Sequence, residues 1–96
     1  MENEINFIAL SNAAETAIFE IETFINKYGT SPVLESIKSQ MRFIFNSANS
    51  DKNPMQLIPK DKPFTYSILA SREFSSPEEM KTKGSLDEVS KILNEG

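Results

Sequence analysis

The stretch NEINFIALSNAAETAIFEIETFINKY, residues 3–28, contains the pattern that decides the fold. Apolar side chains recur in it at alternating steps of three and four residues, which places them on one face of an α-helix. The members of this face are Phe7, Leu10, Ala14, Ala17, Ile21, Phe24 and Tyr28. Gly29 follows at a position suited to closing a helix. The pattern predicts one long helix from about Asn3 to Tyr28.

The opposite face of this predicted helix mixes acids and amides with apolar side chains. It holds Ile5, Ile8, Asn12, Glu15, Phe19, Glu22 and Asn26. Three explanations for Phe19 stay open. Phe19 packs beneath another part of the chain, or it mediates self-association, or it anchors a partner protein while Glu15 and Glu22 steer a basic surface towards it. Phe43, on the outer side of the next predicted helix, has the same ambiguity.

A second helix is predicted to start at Ser31 and Pro32 and to end near Asn49. Serine accepts hydrogen bonds from first-turn amides, and proline suits the first helical position. The apolar face of this helix comprises Leu34, Ile37, Met41, Ile44 and Ala48, with Phe45 beside it. Because the link between the two helices is only a few residues long, we expect them to be antiparallel neighbours.

Weaker helical signals follow in the second half of the chain. Three prolines between Pro54 and Pro63 predict a loop with at most one helical turn, over Met55–Ile58. The segment Phe64–Phe74 also contains residues that favour strands. We predict a helix there, because no partner strand is recognisable elsewhere.

The last segment opens with Ser76, Pro77, Glu78 and Glu79, which is a capping box with proline at the first helical position. Gly84 weakens a helix, and Ser85 with Glu88 resembles a second capping box. One bent helix and two short helices that meet near Gly84 are equally compatible with this pattern. The whole sequence predicts a single all-α domain over residues 1–96, a compact bundle of four or five helices.

The amino-acid inventory disfavours catalysis. The 96 residues contain no histidine and no cysteine, which removes the commonest general base and the most nucleophilic thiol. No glycine-rich phosphate loop and no spacing of metal ligands is present, so we predict no cofactor and no metal site. Four glutamates are the candidates for paired catalytic carboxylates: Glu15, Glu22, Glu78 and Glu79. Without an evident substrate pocket, a binding protein that is not an enzyme is the better prediction.

The charge pattern narrows the class of partner. The formal net charge is −4, which argues against nucleic acid as a partner. Five glutamates and one lysine fall in the first 28 residues, whereas basic residues predominate between Ser36 and Lys62. No apolar stretch approaches the roughly 20 residues of a membrane span, and no basic secretory signal is visible. We therefore expect a cytoplasmic location, no membrane partner and a protein partner with a basic surface.

The segment SILASREF followed by SSPEE, residues 67–79, resembles a family of small immunity proteins. These proteins protect bacteria against NAD(P)⁺-glycohydrolase effectors of type VI secretion and against related toxins. The positions that carry the resemblance are Tyr28-Gly29, Gln40-Met41-Arg42-Phe43-Ile44, Ser67, Ile68, Arg72, Glu73, Phe74, Pro77 and Glu78. The resemblance covers about residues 28–80, and the last segment departs from it at Gly84 and Ser85.

The resemblance implies an all-helical protein that binds a cognate toxin domain and blocks its active site or substrate entry. Such a protein has no catalytic activity of its own. On this hypothesis the partner-binding residues are Glu15, Phe19 and Glu22, with Arg72 and Glu73 as the next candidates. The alternative is a helical adaptor or regulatory subunit that forms a homodimer through its first helix.

Overall fold

The computed structural model describes residues 5–59 and 61–95, which form five α-helices and contain no strand. In chain order the helices are α1 (Phe7–Tyr28), α2 (Pro32–Asn49), α3 (Pro54–Leu57), α4 (Tyr66–Glu73) and α5 (Pro77–Glu95). The predicted all-α bundle is confirmed. Within the described ranges, no helix combines the length and the apolar character needed to cross a bilayer.

Local capping defines the ends of the two long helices. The Asn6 side chain accepts a hydrogen bond from the Ala9 amide at 3.0 Å, so α1 begins at Phe7. The earlier start predicted at Asn3 lies outside the described residues. Gly29 ends α1 with φ of 96°, a backbone conformation that favours glycine. Ser31 then caps α2 through the Leu34 amide at 3.1 Å, as the sequence predicts.

Helices α1 and α2 form an antiparallel pair. Ser11 near the start of α1 donates a hydrogen bond to Asn49 at the end of α2, at 2.8 Å. Glu22, further along α1, pairs with Arg42 at 2.8 Å. The predicted antiparallel arrangement is therefore confirmed.

The core lies where α1, α2, α4 and α5 meet, with α5 packed along α1 and α4 packed against both α2 and α5. Its fully buried large side chains include Leu10, Ile21, Ile37, Met41, Ile44, Leu86 and Val89. Two assignments from helical periodicity are wrong. Ile5, expected on the outer face, is buried because it precedes the helix. Tyr28, expected in the core, is 58% exposed and donates its hydroxyl proton to Glu78 at 2.9 Å.

Helix α4 takes its N-terminal cap from another helix. Thr65 precedes the helix but makes no side-chain capping bond. Instead the Gln40 side-chain oxygen on α2 accepts hydrogen bonds from the backbone amides of Thr65 and Tyr66, each at 2.9 Å. The Tyr66 hydroxyl is hydrogen-bonded to Ser90 of α5 at 2.8 Å, and burial raises the pKa of this tyrosine. These bonds fix α4 between α2 and α5.

Helix α5 is continuous from Pro77 to Glu95. The capping box at its start is confirmed: Ser76 accepts from the Glu79 amide at 3.2 Å, and the Glu79 carboxylate accepts from the Ser76 amide at 2.9 Å. The second capping box predicted at Ser85 is wrong. The Ser85 hydroxyl donates instead to the Glu20 carboxylate of α1 at 2.7 Å, which leaves the helix uninterrupted there.

Candidate protein-binding groove

A solvent-open groove runs between α1 and α2, on the part of their surface that α5 and α4 do not cover. It encloses a cavity of about 370 Å³. Its lining residues are Glu15, Ile18, Phe19, Glu22, Arg42, Phe45 and Asn46. We call this surface the α1–α2 groove.

Helical spacing on both helices explains why these residues meet. Residues three and four positions apart are neighbours on a helix surface, so Glu15, Phe19 and Glu22 form one row on α1. On α2, Arg42 and Asn46 form the facing row by the same rule. Because the helices are antiparallel, Arg42 lies opposite the later part of the α1 row, and Asn46 lies opposite its earlier part.

Phe19 is the most exposed side chain among the aromatic residues that line the groove. It is 69% exposed, so the explanation that it packs beneath a loop or another helix is wrong for the described chain. Ile8, three turns earlier on the same stripe, is 76% exposed and lies about 16 Å away along the helix axis. Asn12 and Glu15 separate the two side chains on this stripe, so among the described residues the exposed apolar surface beside the groove is that of Phe19 alone.

The floor of the groove is apolar. Ile18 and Phe45 are partly buried against the core and line the cavity beside Phe19. An apolar floor contributes binding free energy when a ligand covers it, because water is released from its surface. The groove therefore offers both an apolar contact area and charged groups at its rim.

The two acids of the groove differ in their pairing. Glu22 Oε2 lies 2.8 Å from Arg42 Nη2, and both side chains are about half exposed. Such a surface ion pair contributes at most about 1 kcal/mol to stability. Glu15 is exposed and forms no ion pair or hydrogen bond through its side chain within residues 5–59 and 61–95. The negative charge available to a ligand is therefore concentrated at Glu15.

The remaining predicted site residues lie elsewhere. Arg72 and Glu73 are exposed at the end of α4, and neither lines the α1–α2 groove. The buried ring of Phe74 follows them and fixes that end of α4 on the core. The structure thus brings Glu15, Phe19 and Glu22 together and leaves Arg72 and Glu73 on a separate surface.

Phe43 is less exposed than Phe19. Its side chain is 37% exposed, and its ring centroid lies 6.0 Å from that of Phe64, which precedes α4. A tilted aromatic contact at this distance is favourable. Phe64 of the same chain therefore partly covers the Phe43 ring.

The glutamates considered as catalytic pairs have separate structural contacts. Glu78 accepts the Tyr28 hydroxyl proton and lies 3.5 Å from Lys27. Backbone hydrogen bonds from Ser76 and Ser75 hold the pKa of Glu79 below its usual value. Neither residue lines the groove that contains Glu15. Within the described residues, no three Asp, Glu, His or Cys side chains group as metal ligands.

Sequence reasoning missed the α2 side of the groove. Arg42 and Asn46 were not predicted as site residues, and Phe45 was assigned only to the core face. One signal was available in the sequence. The first helix carries an acidic row, and Arg42 is a basic residue on the helix predicted to lie beside it. The register that joins Glu22 to Arg42 depends on packing, so the sequence did not specify it.

Several residues that carry the family resemblance have structural contacts of their own. Gln40 caps α4, Phe74 is buried, and Pro77 begins α5. Comparison with known proteins finds no matching family model, no matching curated protein and no matching solved structure. The resemblance to immunity proteins therefore stays a prediction, and the α1–α2 groove is the main structural indication of function.

Proposed function

We propose that this chain is an immunity protein that binds a basic surface of a cognate toxin domain through the α1–α2 groove and blocks that domain's active site. The observation that supports this proposal is the exposed ring of Phe19 beside an apolar-floored cavity, with Glu15 at its rim. An aromatic anchor at the centre of a contact, surrounded by charged groups, is the usual organisation of a strong protein interface.

The charge of the chain supports a basic partner. Its net charge is −4, and α1 presents exposed Glu15 on the groove side. Opposite charge on a partner increases the rate of encounter and orients the two surfaces. A toxin that acts on NAD⁺ or on nucleotides often has a cationic cleft for phosphate groups, and an acidic inhibitor is complementary to such a cleft.

Co-expression tests the proposed function directly. Cells that produce the toxin domain encoded beside this gene should grow when the wild-type chain is present, and should stop growing when it carries Phe19→Glu. Leu57→Glu is the matched control, because Leu57 is also a well-exposed apolar side chain but lies on α3. Failure of the folded wild-type chain to restore growth would refute the proposal. Equal rescue by both variants would place the interface outside the groove.

The kinetics of the complex distinguish the anchor from the steering charge. Phe19→Ala should accelerate dissociation, with a loss of about 2 kcal/mol in binding free energy. Glu15→Lys should chiefly slow association, most strongly at low salt, because exposed charges act on the encounter rate. Surface plasmon resonance at two salt concentrations measures both effects.

A homodimeric adaptor is the second candidate, favoured by the exposure of both Ile8 and Phe19 on one stripe of α1. A two-fold dimer through this stripe would bring together two copies of a helix that carries exposed Glu15, and like charges repel each other across such a contact. Light scattering separates the two candidates. A stable dimer of the wild-type chain that becomes monomeric with Phe19→Glu would support the adaptor.

A further inference from the structure

The α1–α2 groove contains two acids, Glu15 and Glu22, of which only Glu22 is paired within residues 5–59 and 61–95, and this asymmetry points to the chemistry of its ligand. We propose that Glu15 receives an arginine side chain of the partner, whose aliphatic stem lies along Phe19. Arg42 of the chain itself fills the corresponding position at Glu22. This inference rests on the proposed function, since it names the chemical group that the groove takes from its partner.

The ion pair between Glu22 and Arg42 shows how a guanidinium group binds an acid of this row. Glu15 and Glu22 lie on the same row of α1, two turns and about 10 Å apart, with Phe19 between them. At Glu22 the guanidinium of Arg42 is already bound, with Nη2 2.8 Å from Oε2. At Glu15 the same kind of carboxylate lines the same cavity without a cation from the described chain. Glu15 is therefore suited to bind a guanidinium group, as Glu22 already does.

The aromatic side chains favour arginine over lysine. The guanidinium is planar, is more weakly hydrated than an ammonium group and stacks on aromatic rings. Phe19 and Phe45 both line the cavity, so a guanidinium bound at Glu15 would lie next to aromatic surface. Arginine can also bind a carboxylate through two parallel hydrogen bonds, which lysine cannot do.

Other ligand types fit the groove less well. An acidic side chain would meet Glu15 with like charge. A purely apolar side chain would cover the floor of Ile18 and Phe45 but would bring Glu15 out of water without a partner, which is unfavourable. An arginine satisfies both regions, because its stem is apolar and its head is charged.

Model peptides test this inference without the partner. The full-length chain, labelled with ¹⁵N, is titrated with an acetylated, amidated tripeptide that has arginine between two leucines. Lysine and citrulline replace arginine in two matched peptides, and citrulline keeps the shape of arginine without its charge. We expect the arginine peptide to bind about fivefold more tightly than the citrulline peptide. The amide shifts should be centred on Glu15, Phe19 and Asn46.

Two variants with opposite expected effects make the test specific. Glu15→Gln should remove the preference for arginine over citrulline. Arg42→Gln should raise affinity for the arginine peptide by about twofold to fivefold, because it leaves Glu22 free as a second acid. Glu88→Gln, an exposed charge on α5, is the control for net charge and should change nothing.

The outcomes separate this inference from the proposed function. Equal binding of the arginine and citrulline peptides, or an Arg42→Gln variant that binds the arginine peptide more weakly, would overturn the assignment of an arginine site. Toxin rescue that still depends on Phe19 would then leave the proposed function standing. Arginine-selective binding without any rescue would support the site and count against the immunity role.

Discussion

The α1–α2 pair and helix α4 are capped differently, although α5, like the pair, begins with a local cap at Ser76. In the pair, each helix is capped by the residue directly before it, Asn6 or Ser31, and Gly29 closes the turn between them. In the second part of the molecule, from α3 to α5, α4 lacks a cap from its own preceding residue and takes one from Gln40, 25 residues earlier in the chain. The Ser85 hydroxyl of α5 likewise bonds to Glu20 of α1, 65 residues away.

The two parts of the molecule therefore have different structural roles. Both helices of the pair have local caps, whereas α4 and α5 are joined to the pair by hydrogen bonds between residues that are distant in sequence. Because those contacts use one side of the pair, the side that carries the α1–α2 groove is left open to solvent. The second part therefore stabilises the two helices that form the α1–α2 groove without contributing residues to the groove.

The largest expected effect comes from a residue that both parts share. Ile21 is fully buried and lines a small internal gap with Leu34 of α2, Phe74 and Thr82. Ile21→Ala should lower the free energy of unfolding by about 2–5 kcal/mol, since it removes buried methyl groups and leaves a cavity. Ile8→Ala on the exposed stripe should change it by less than about 0.5 kcal/mol. Chemical denaturation of the two variants measures the contrast, and similar losses would contradict the assigned faces.

The next effect tests whether α4 depends on the pair. Gln40→Ala should destabilise the protein by about 1–2 kcal/mol, because the amides of Thr65 and Tyr66 lose their acceptor. Amide hydrogen exchange should accelerate in α4 more than in α1. Ser39→Ala, at an exposed neighbouring position of α2, is the control. Unchanged exchange in α4 would show that its packing alone is sufficient.

A smaller, stabilising effect is expected at Gly84 in α5. Apart from its chain neighbours and the nearby backbone of its own helix, no heavy atom of the described residues lies within 4 Å of the position that an added Cβ would occupy. Gly84→Ala should therefore raise the free energy of unfolding by about 0.5–1 kcal/mol through higher helix propensity. Gly29→Ala is the counterpart in the pair. It also meets no steric contact, but its φ of 96° should make it destabilising by about 1–3 kcal/mol. Thermal melting compares the two variants. Stability changes of the same sign in both would contradict the positive φ assigned to Gly29.

The smallest expected effect is on the free energy of unfolding at acidic pH. Backbone hydrogen bonds lower the folded-state pKa of Glu79 below its ordinary value of 4.5. The charged carboxylate therefore stabilises the folded state above that pH, and the contribution is lost as the pH falls through the lower folded value. Glu79→Gln keeps an acceptor for the capping box but should remove this pH dependence. Denaturation at pH 7 and pH 3 checks it, and an identical acid sensitivity in the variant would argue against the assignment.

The α1–α2 pair was well predicted because its signals are local. Ser31 and Pro32 mark the start of α2 in the sequence, and the helix ends at Asn49 as expected. The error at Ile5 has a local cause, since Ile5 precedes the helix, whereas the errors at Tyr28 and Ser85 arise from partners distant in sequence. Tyr28 fits the apolar periodicity of α1, yet it lies at the surface because Glu78 binds its hydroxyl there.

The site was only partly predictable for the same reason. Glu15, Phe19 and Glu22 share a row on one helix, so helical periodicity alone identified them as neighbours. The pairing of Glu22 with Arg42 depends on the register between two helices, which periodicity does not encode. Glu22 was therefore expected to act as a steering charge, whereas most of its charge is already compensated within the chain.

The exposure of the groove residues has an evolutionary consequence. Glu15, Phe19 and Arg42 contribute little to the packed interior, so replacements there leave the folding free energy almost unchanged. Recognition can therefore diversify from one lineage to another while the scaffold stays constant. For the proposed immunity role, this independence means that each altered specificity can be sampled without first acquiring a compensating stabiliser.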